Sequence, residues 1–396
     1  MKIKLDHLGQ YYAAVNNENN PGTFSVGVHL NEPLQPRVLQ RAVNDMTKRL
    51  PHMNVQRYTG FFHYYHLLRT KPLCIEKENQ QQEPCRYFEK NKSLLRVIYG
   101  NDYFTLEVLH TVCDGRSLAM AACSLLIRYY ELLGINVNKR GFVDCNGKRR
   151  REEITDAYAQ QADMRKTQSI KNEDAYIPLY KTAKTKVITH TYDLKILKQK
   201  AKKMGVTITE YILACIFMAF ARQRAKEGVQ KGIACSVPID CRGFFPCKSL
   251  RCFVTHKIVG MTESAKMNDI IQGIKKQFAE INPDYIQEKI SEMEYLIQLG
   301  CYVPLFIKKW IIKSIGKSAT VGCSTGFSNL GFVELPVEIQ NKVDKLTFVL
   351  GAEPNIPYLF ACVATGNVLT LTATTTAKNN KIVERIDKMI NGMLYV

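Results

Sequence analysis

The chain has one tryptophan, Trp310, and is short of acids, with 36 Asp and Glu against 55 Lys and Arg. Its formal charge of +19 at pH 7 and pI near 9.3 would draw polyanions, whether nucleic acid, anionic lipid or a phosphate-bearing cosubstrate. The basic residues are scattered through helical patterns without interleaved aromatics, and no nucleic-acid fingerprint is present, so no DNA or RNA partner is expected. Also missing is any C-x-x-C pair despite 13 cysteines, which removes zinc-ribbon and dithiol redox spacing. Cys241, Cys247 and Cys252 come closest to a cluster but lack a neighbouring histidine set, so no metal is expected. The thiols read as reduced and mostly buried. No apolar run is long enough to span a bilayer. The opening MKIKLDHLGQYYAAV carries neither an apolar signal core nor an Arg- and Ser-rich transit pattern, and the expectation is a cytoplasmic protein.

With 396 residues, 46% of them apolar, the chain can form two ordinary domains or one bilobal unit. Patterning predicts strands over 23–30, 53–58, 61–67, 95–99 and 103–109, an amphipathic helix from Pro36 and another over 117–133. The dense basic run KRRREE at 148–153 then opens a polar stretch that reads as a solvated connection. Beyond it come a strand over 187–192, a basic helix over 195–203 closed by Gly205, and an apolar helix introduced by the capping-box pair Thr207 and Glu210. Helices over 268–281 and 283–299 precede VPLFIKKWIIKSIG, which reads either as a helix with one face in the core or as a contact with a membrane surface. Strands over 345–350, 359–365 and 368–374 and a helix over 380–394 complete the pattern. Both halves mix strands and helices in the α+β manner, with an N-terminal lobe over 1–145, a polar connection over 146–180 and a C-terminal lobe over 181–396.

The segment LEVLHTVCDGRS places His110, Asp114 and Gly115 as H-x-x-x-D-G between the strand over 103–109 and the helix over 117–133. An imidazole at the end of a rigid strand can be held in one tautomer and act as a base near neutral pH. Gly115 suits a turn with positive φ and lets a second segment approach closely. Asp114, four residues on, should point away from His110, where a carboxylate commonly pairs with an arginine and stiffens a loop. The plainer reading is a buried histidine satisfied by a backbone carbonyl, with Asp114 as N-cap of the next helix. Cys113 lies inside the motif, but any residue type would serve between His110 and Asp114.

In this setting H-T-V-C-D-G resembles the active-site signature shared by chloramphenicol acetyltransferase, plant acyl-CoA-dependent acyltransferases and peptide-synthetase condensation domains. RLPHMNVQRYTGFFHYYH, residues 49–66, resembles the alcohol acetyltransferase branch, with Leu50 in place of an aromatic. VPIDCRGFFPCKSLRCF, residues 237–253, and SNLGFVELP, residues 328–336, resemble that branch's later segments in the expected order.

The resemblance implies two chloramphenicol acetyltransferase-like lobes, each a two-layer α/β sandwich, around a tunnel with His110 midway. It implies an acyl-CoA cosubstrate, acetyl-CoA or longer, an alcohol or amine acceptor, His110 as general base, no covalent acyl-enzyme and no permanently bound cofactor. Asp114 would be structural, its partner Arg242 on the second lobe. Ser328 or Asn329 would stabilise the oxyanion unless they only form a turn, and Lys248 and Arg251 would meet CoA phosphates. Two departures stand out: Leu109 replaces the second histidine of many relatives, and Arg116 is bulky where small residues are common. Two other readings stay open. One is a condensation-type enzyme taking its acyl group from an acyl carrier protein; the other is a catalytically silent homologue that binds acyl chains or a partner.

Overall fold

Residues with apolar repeats of two form strands and those with repeats of 3.6 form helices, but which strands share a sheet is a long-range decision. The computed structural model describes residues 2–79, 81–163, 175–180, 182–261, 266–311, 322–354 and 356–392. Its strands in the first half are β1 Lys2–Lys4, β2 Thr23–Leu30, β3 Val55–Thr59, β4 Tyr64–Leu68, β5 Glu76–Lys77, β6 Leu95–Tyr99 and β7 Tyr103–Leu109. In the second half they are β8 Thr182–Asp193, β9 Ile233–Asp240, β10 Val254–Met261, β11 Thr325–Phe332, β12 Val343–Leu350, β13 Tyr358–Thr365 and β14 Val368–Ala377. The helices are α1 His7–Val15, α2 Pro36–Arg49, α3 Gly115–Leu132, α4 Ala157–Gln161, α5 Leu194–Lys203, α6 Ile208–Glu227, α7 Met267–Ala279, α8 Pro283–Leu299 and a C-terminal helix, Lys381–Ile390.

One lobe is built on a five-stranded sheet in the order β12-β2-β7-β6-β5. Pro36, whose fixed φ suits a first helical position, opens α2, and Leu39, Ala42, Val43 and Met46 on its inner face join Leu118, Ala122 and Leu125 of α3 in the core. The other lobe has a six-stranded sheet in the order β10-β9-β11-β13-β14-β8, in which β11 runs parallel to both β9 and β13. Its central helix α6 is fixed at the start by the Thr207–Glu210 capping box and at the end by Gly228 in the left-handed conformation. Residues 208–221 of α6 are almost wholly buried, and no single described helix is long and apolar enough to cross a membrane. A small sheet, β1-β4-β3, flanks the first lobe.

The α+β class holds, but chain halves and sheets do not coincide. Strand β12, within the 181–396 segment, pairs antiparallel with β2, Phe348 opposite Val26. Its residues therefore complete the first sheet, and the hydroxyl of Thr374 on β14 donates to Leu350 O at 2.6 Å. Apolar alternation reveals a strand but not its partner. The KRRREE run is likewise not simply solvated. Glu153 is buried and takes a bidentate pair from Arg49, at 2.6 and 2.7 Å. Patterning also passed over α1, β9, β10 and β11. Of VPLFIKKWIIKSIG, residues 305–311 are helical and 312–316 lie outside the described residues, as does the end of the helix expected over 380–394.

Candidate active site

Strand β7 delivers His110 to the top of the first sheet, where its N–H donates to Gly22 O at 2.9 Å. The ring is held on several sides. Tyr12 from α1 stacks on it with centroids 4.4 Å apart and an interplanar angle of 6°. Phe24 of β2 lies tilted at 4.7 Å. Cys252, from the loop before β10, places Sγ 3.6 Å from Nδ1 and donates to the His110 carbonyl at 3.1 Å. Burial lowers the imidazole below its ordinary 6.5, against the raising effects of its own backbone carbonyl and of Asp114 and Asp6. Nδ1 has the Cys252 thiol as its neighbour, whereas Nε2 has no hydrogen-bond partner among the described residues.

Asp114 is at once the helix cap and the inter-lobe anchor. Its Oδ1 accepts from Ser117 N at 2.9 Å, capping α3, and its Oδ2 accepts from Arg242 Nη1 at 2.7 Å and Phe253 N at 2.9 Å. Burial alone would raise this carboxyl, but the guanidinium and these hydrogen bonds hold it below the usual carboxylate range. Arg242 is itself saturated, pairing with Asp240 at 2.9 Å and donating to the carbonyls of Ser249 and Arg251 and to Ser117 Oγ. The two alternatives open for Asp114 are therefore both realised.

Gly115 departs from expectation. It is the first residue of α3 and is not among the glycines with positive φ. The need for glycine is steric: a Cβ would lie 2.8 Å from Leu330 Cδ2 on β11 and 3.1 Å from Phe348 on β12. Cys113 is fully buried and its thiol is pushed far above its ordinary value by burial, which removes it as a nucleophile.

His110 faces a cavity of about 780 Å³ between the lobes, whose wall also includes Tyr12, Arg116, His256, Ser328 and Asn329. Asn329 Nδ2 is engaged with Thr209 Oγ1 at 2.8 Å and its Oδ1 with Gly331 N at 2.7 Å. The Ser328 hydroxyl has no hydrogen-bond partner among the described residues, which makes it the readier donor of the two. Arg116 turns to Asp240 as an ion pair. His256, pushed down to about 4 by burial and by His110, stays neutral beside Ser236, 3.3 Å away.

A second cavity, about 500 Å³, adjoins the first through Arg116, Met120, Gly141 and Phe142. Lys148, Arg150 and Lys248 line it. Lys248 pairs with Glu152 at 3.2 Å, whereas Lys148 and Arg150 have no acidic partner among the described residues. Arg251 is not there. It is buried and donates to Asp6 Oδ2 and Lys4 O, each at 3.0 Å, so the expectation that it meets CoA phosphate fails. Proximity in sequence put Arg251 beside Lys248; the turn between them sends the two side chains apart. Asp6, its partner, caps α1 through Gly9 N at 2.8 Å, so Arg251 secures the helix that carries Tyr12.

Tyr12 was not singled out from sequence, Cys252 was weighed only as a metal ligand, and Lys148 and Arg150 only as part of a solvated basic run. Asp6 ahead of HLGQYYAAV was a readable N-cap signal for α1, but nothing local says that this helix lies against His110.

A family model described as alcohol acetyltransferase matches residues 153–393, more than half of the chain. No curated protein matches the sequence. Among solved structures, TRI3 trichothecene 15-O-acetyltransferase from Fusarium sporotrichioides is similar with a TM-score of 0.63 at 11% identity, over 98% of this chain and 94% of that one. F. sporotrichioides TRI101, complexed with coenzyme A and T-2, gives 0.61 at 9% identity over 98% and 97%. The first condensation domain of the CDA synthetase gives 0.59 at 11% identity over 99% and 95%. At such identities the likeness is one of fold, the bilobal chloramphenicol acetyltransferase-like architecture.

Proposed function

Because the chain belongs to the alcohol acetyltransferase family, we propose that it moves an acyl group, acetyl first among the candidates, from a CoA thioester to the hydroxyl or amine of a small or lipid-like acceptor. The observation that carries this reading is a neutral imidazole, held by Tyr12 and Phe24, in the wall of a cavity large enough for both reactants. His110 Nε2 takes the acceptor's proton as its oxygen or nitrogen bonds to the thioester carbon. The carbonyl oxygen becomes an anion that the Ser328 hydroxyl receives. Collapse breaks the C–S bond, His110 returns the proton to the thiolate, and product and free thiol leave without an acyl-enzyme. Asp114 touches no reacting atom; with Arg242 it positions the loop.

The adjoining basic cavity supports CoA as donor. Asp144, Glu152 and Glu153 line it too, but Lys148 and Arg150 remain unanswered, and CoA brings a ribose phosphate and a diphosphate to them where a carrier-bound phosphopantetheine arm brings a single phosphodiester. The fold likeness to a condensation domain keeps the carrier protein as the competing donor. The deciding assay follows free thiol from acetyl-CoA with a panel of alcohols and amines. Equal rates for wild type and His110→Ala defeat the mechanism, and activity only with an acyl-loaded carrier transfers the reading to that donor.

An exposed aromatic face supports a lipid-like acceptor taken from a membrane surface. Phe61 and Phe62 in the β3–β4 turn meet the helical segment 305–311: Leu305 N donates to Phe61 O at 2.8 Å and Lys308 Nζ to Phe62 O at 2.7 Å. Phe61, Tyr302, Phe306 and Trp310 are 68%, 86%, 71% and 73% exposed. Rings of this kind beside lysines suit an anionic interface.

A further inference from the structure

The charged groups that line the large cavity fall into paired groups, groups at its exposed rim, and one carboxylate that is neither paired nor fully exposed. Asp114 and Asp240 share Arg242, and Asp240 also takes Arg116. Arg140, Glu334 and Glu338 border the cavity but are exposed to solvent. Glu353 is different. It sits in the short connection from β12 to β13, which Gly351 N fastens to Thr23 O at 2.8 Å and a bridge from Glu353 to Ile356 closes. Its side chain is half-buried in the cavity wall and has no ion pair and no hydrogen bond among the described residues.

From this placement, and resting on the acyl-transfer reading, we infer that the acceptor carries a cationic nitrogen, a protonated amine or a quaternary ammonium, which Glu353 binds while a hydroxyl of the same molecule faces His110. A carboxylate left unpaired in a half-buried cavity wall is costly to keep ionised, and a ligand cation is a partner that relieves that cost. Burial alone pushes the Glu353 carboxyl up, with no neighbouring cation bringing it down. Its charge is felt by the Tyr11 and Tyr12 hydroxyls and by Cys323, while His110 responds to Asp114 and Asp6. Glu353, Tyr12 and His110 share the wall of one cavity, so a single acceptor can meet the carboxylate and the imidazole at once. The geometry also chooses the nucleophile. A nitrogen kept protonated or quaternary at Glu353 has no lone pair to attack with, so the hydroxyl is acylated, its proton passing to His110 and then to the departing thiolate. The product is an ester that keeps its positive charge.

The test compares a series of hydroxyalkyl trimethylammonium ions with uncharged isosteres in which carbon replaces nitrogen, using acetyl-CoA, wild type and E353Q. In wild type the ratio of kcat/KM, cation over isostere, should exceed about tenfold at the best chain length, the effect of one well-placed buried charge pair. In E353Q it should fall toward one. A wild-type ratio near one, or a ratio that survives in E353Q, overturns the inference while leaving acyl transfer intact. If no alcohol of either kind is acylated, the acyl-transfer reading fails instead. Calorimetric titration with tetramethylammonium then decides the site by itself: binding to wild type that E353Q weakens supports it, and absence of binding to wild type overturns it. Should E353Q not fold, the wild-type ratio and the wild-type titration are sufficient.

Discussion

The rings of Tyr12 and His110 lie nearly parallel, 4.4 Å between centroids, although 98 residues separate them in the chain. The stacking fixes the plane of the imidazole and shields one of its faces from water, which favours the neutral, basic form.

This relationship has a measurable consequence in the pH profile. Because His110 is lowered below 6.5, its neutral form persists to lower pH, and kcat/KM should fall only as pH drops through a midpoint below that value. Tyr12→Ala admits water to the ring, so the acid limb should move up toward 6.5; Tyr12→Phe should keep it in place. Removing the base altogether, by His110→Ala, should lower kcat by about 10² to 10⁴.

The Asp114–Arg242 pair sets a stability experiment. Arg242→Met leaves a buried carboxylate without its cation and should cost about 3–5 kcal/mol in denaturant unfolding. The folded Asp114 carboxyl is depressed, so its contribution is present above the unfolded value of about 3.9 and disappears as pH falls through the lower folded value. Asp114→Asn should therefore flatten the loss of stability on acidification in that window. A variant as acid-labile as wild type would show that the pair contributes little.

Space at Gly115 predicts a steric outcome. Gly115→Ala pushes a methyl against Leu330 and Phe348 and should destabilise by about 1–3 kcal/mol, with partial recovery when Leu330→Ala makes room. If Gly115→Ala melts as wild type does, the close approach between the lobes is not what requires glycine.

Donor recognition should map to the basic cavity. Lys148→Ala and Arg150→Ala should each raise KM for acetyl-CoA by about fivefold at most, the range of one exposed charge, and together more, with the effect shrinking as salt rises. Arg251→Ala should leave that salt response alone and lower the melting temperature, since it unpairs Asp6 at the start of α1.

The aromatic face predicts salt-sensitive cosedimentation with anionic vesicles. Replacing Phe61 and Trp310 by Ser should abolish it, and neutralising Lys308 and Lys309 should weaken it. Binding equally strong after both changes would place the contact elsewhere.

Much of this site was legible along the chain because its signals are local. The order strand, His110, Asp114, helix needs only the switch of apolar period at residue 110 and a capping residue. The Thr207–Glu210 box and the amphipathic α2 are readable for the same reason. Arg242 was reachable through the resemblance, not from spacing. What escaped depends on contacts between distant segments: α1 against His110, β12 inserted beside β2, Arg251 turned to Asp6.

The sequence by itself determined the α+β class, the place of His110 at a strand end and the surplus of positive charge, because period, caps and charge are properties of neighbouring residues. Tertiary structure alone decided that Gly115 answers to Leu330 and Phe348 rather than to a positive φ, that Lys148 and Arg150 border a cavity, and that Glu353 stands in the cavity unpaired. Each of these depends on which surfaces two lobes bring together, and a side chain's partners across such an interface leave no period in the chain.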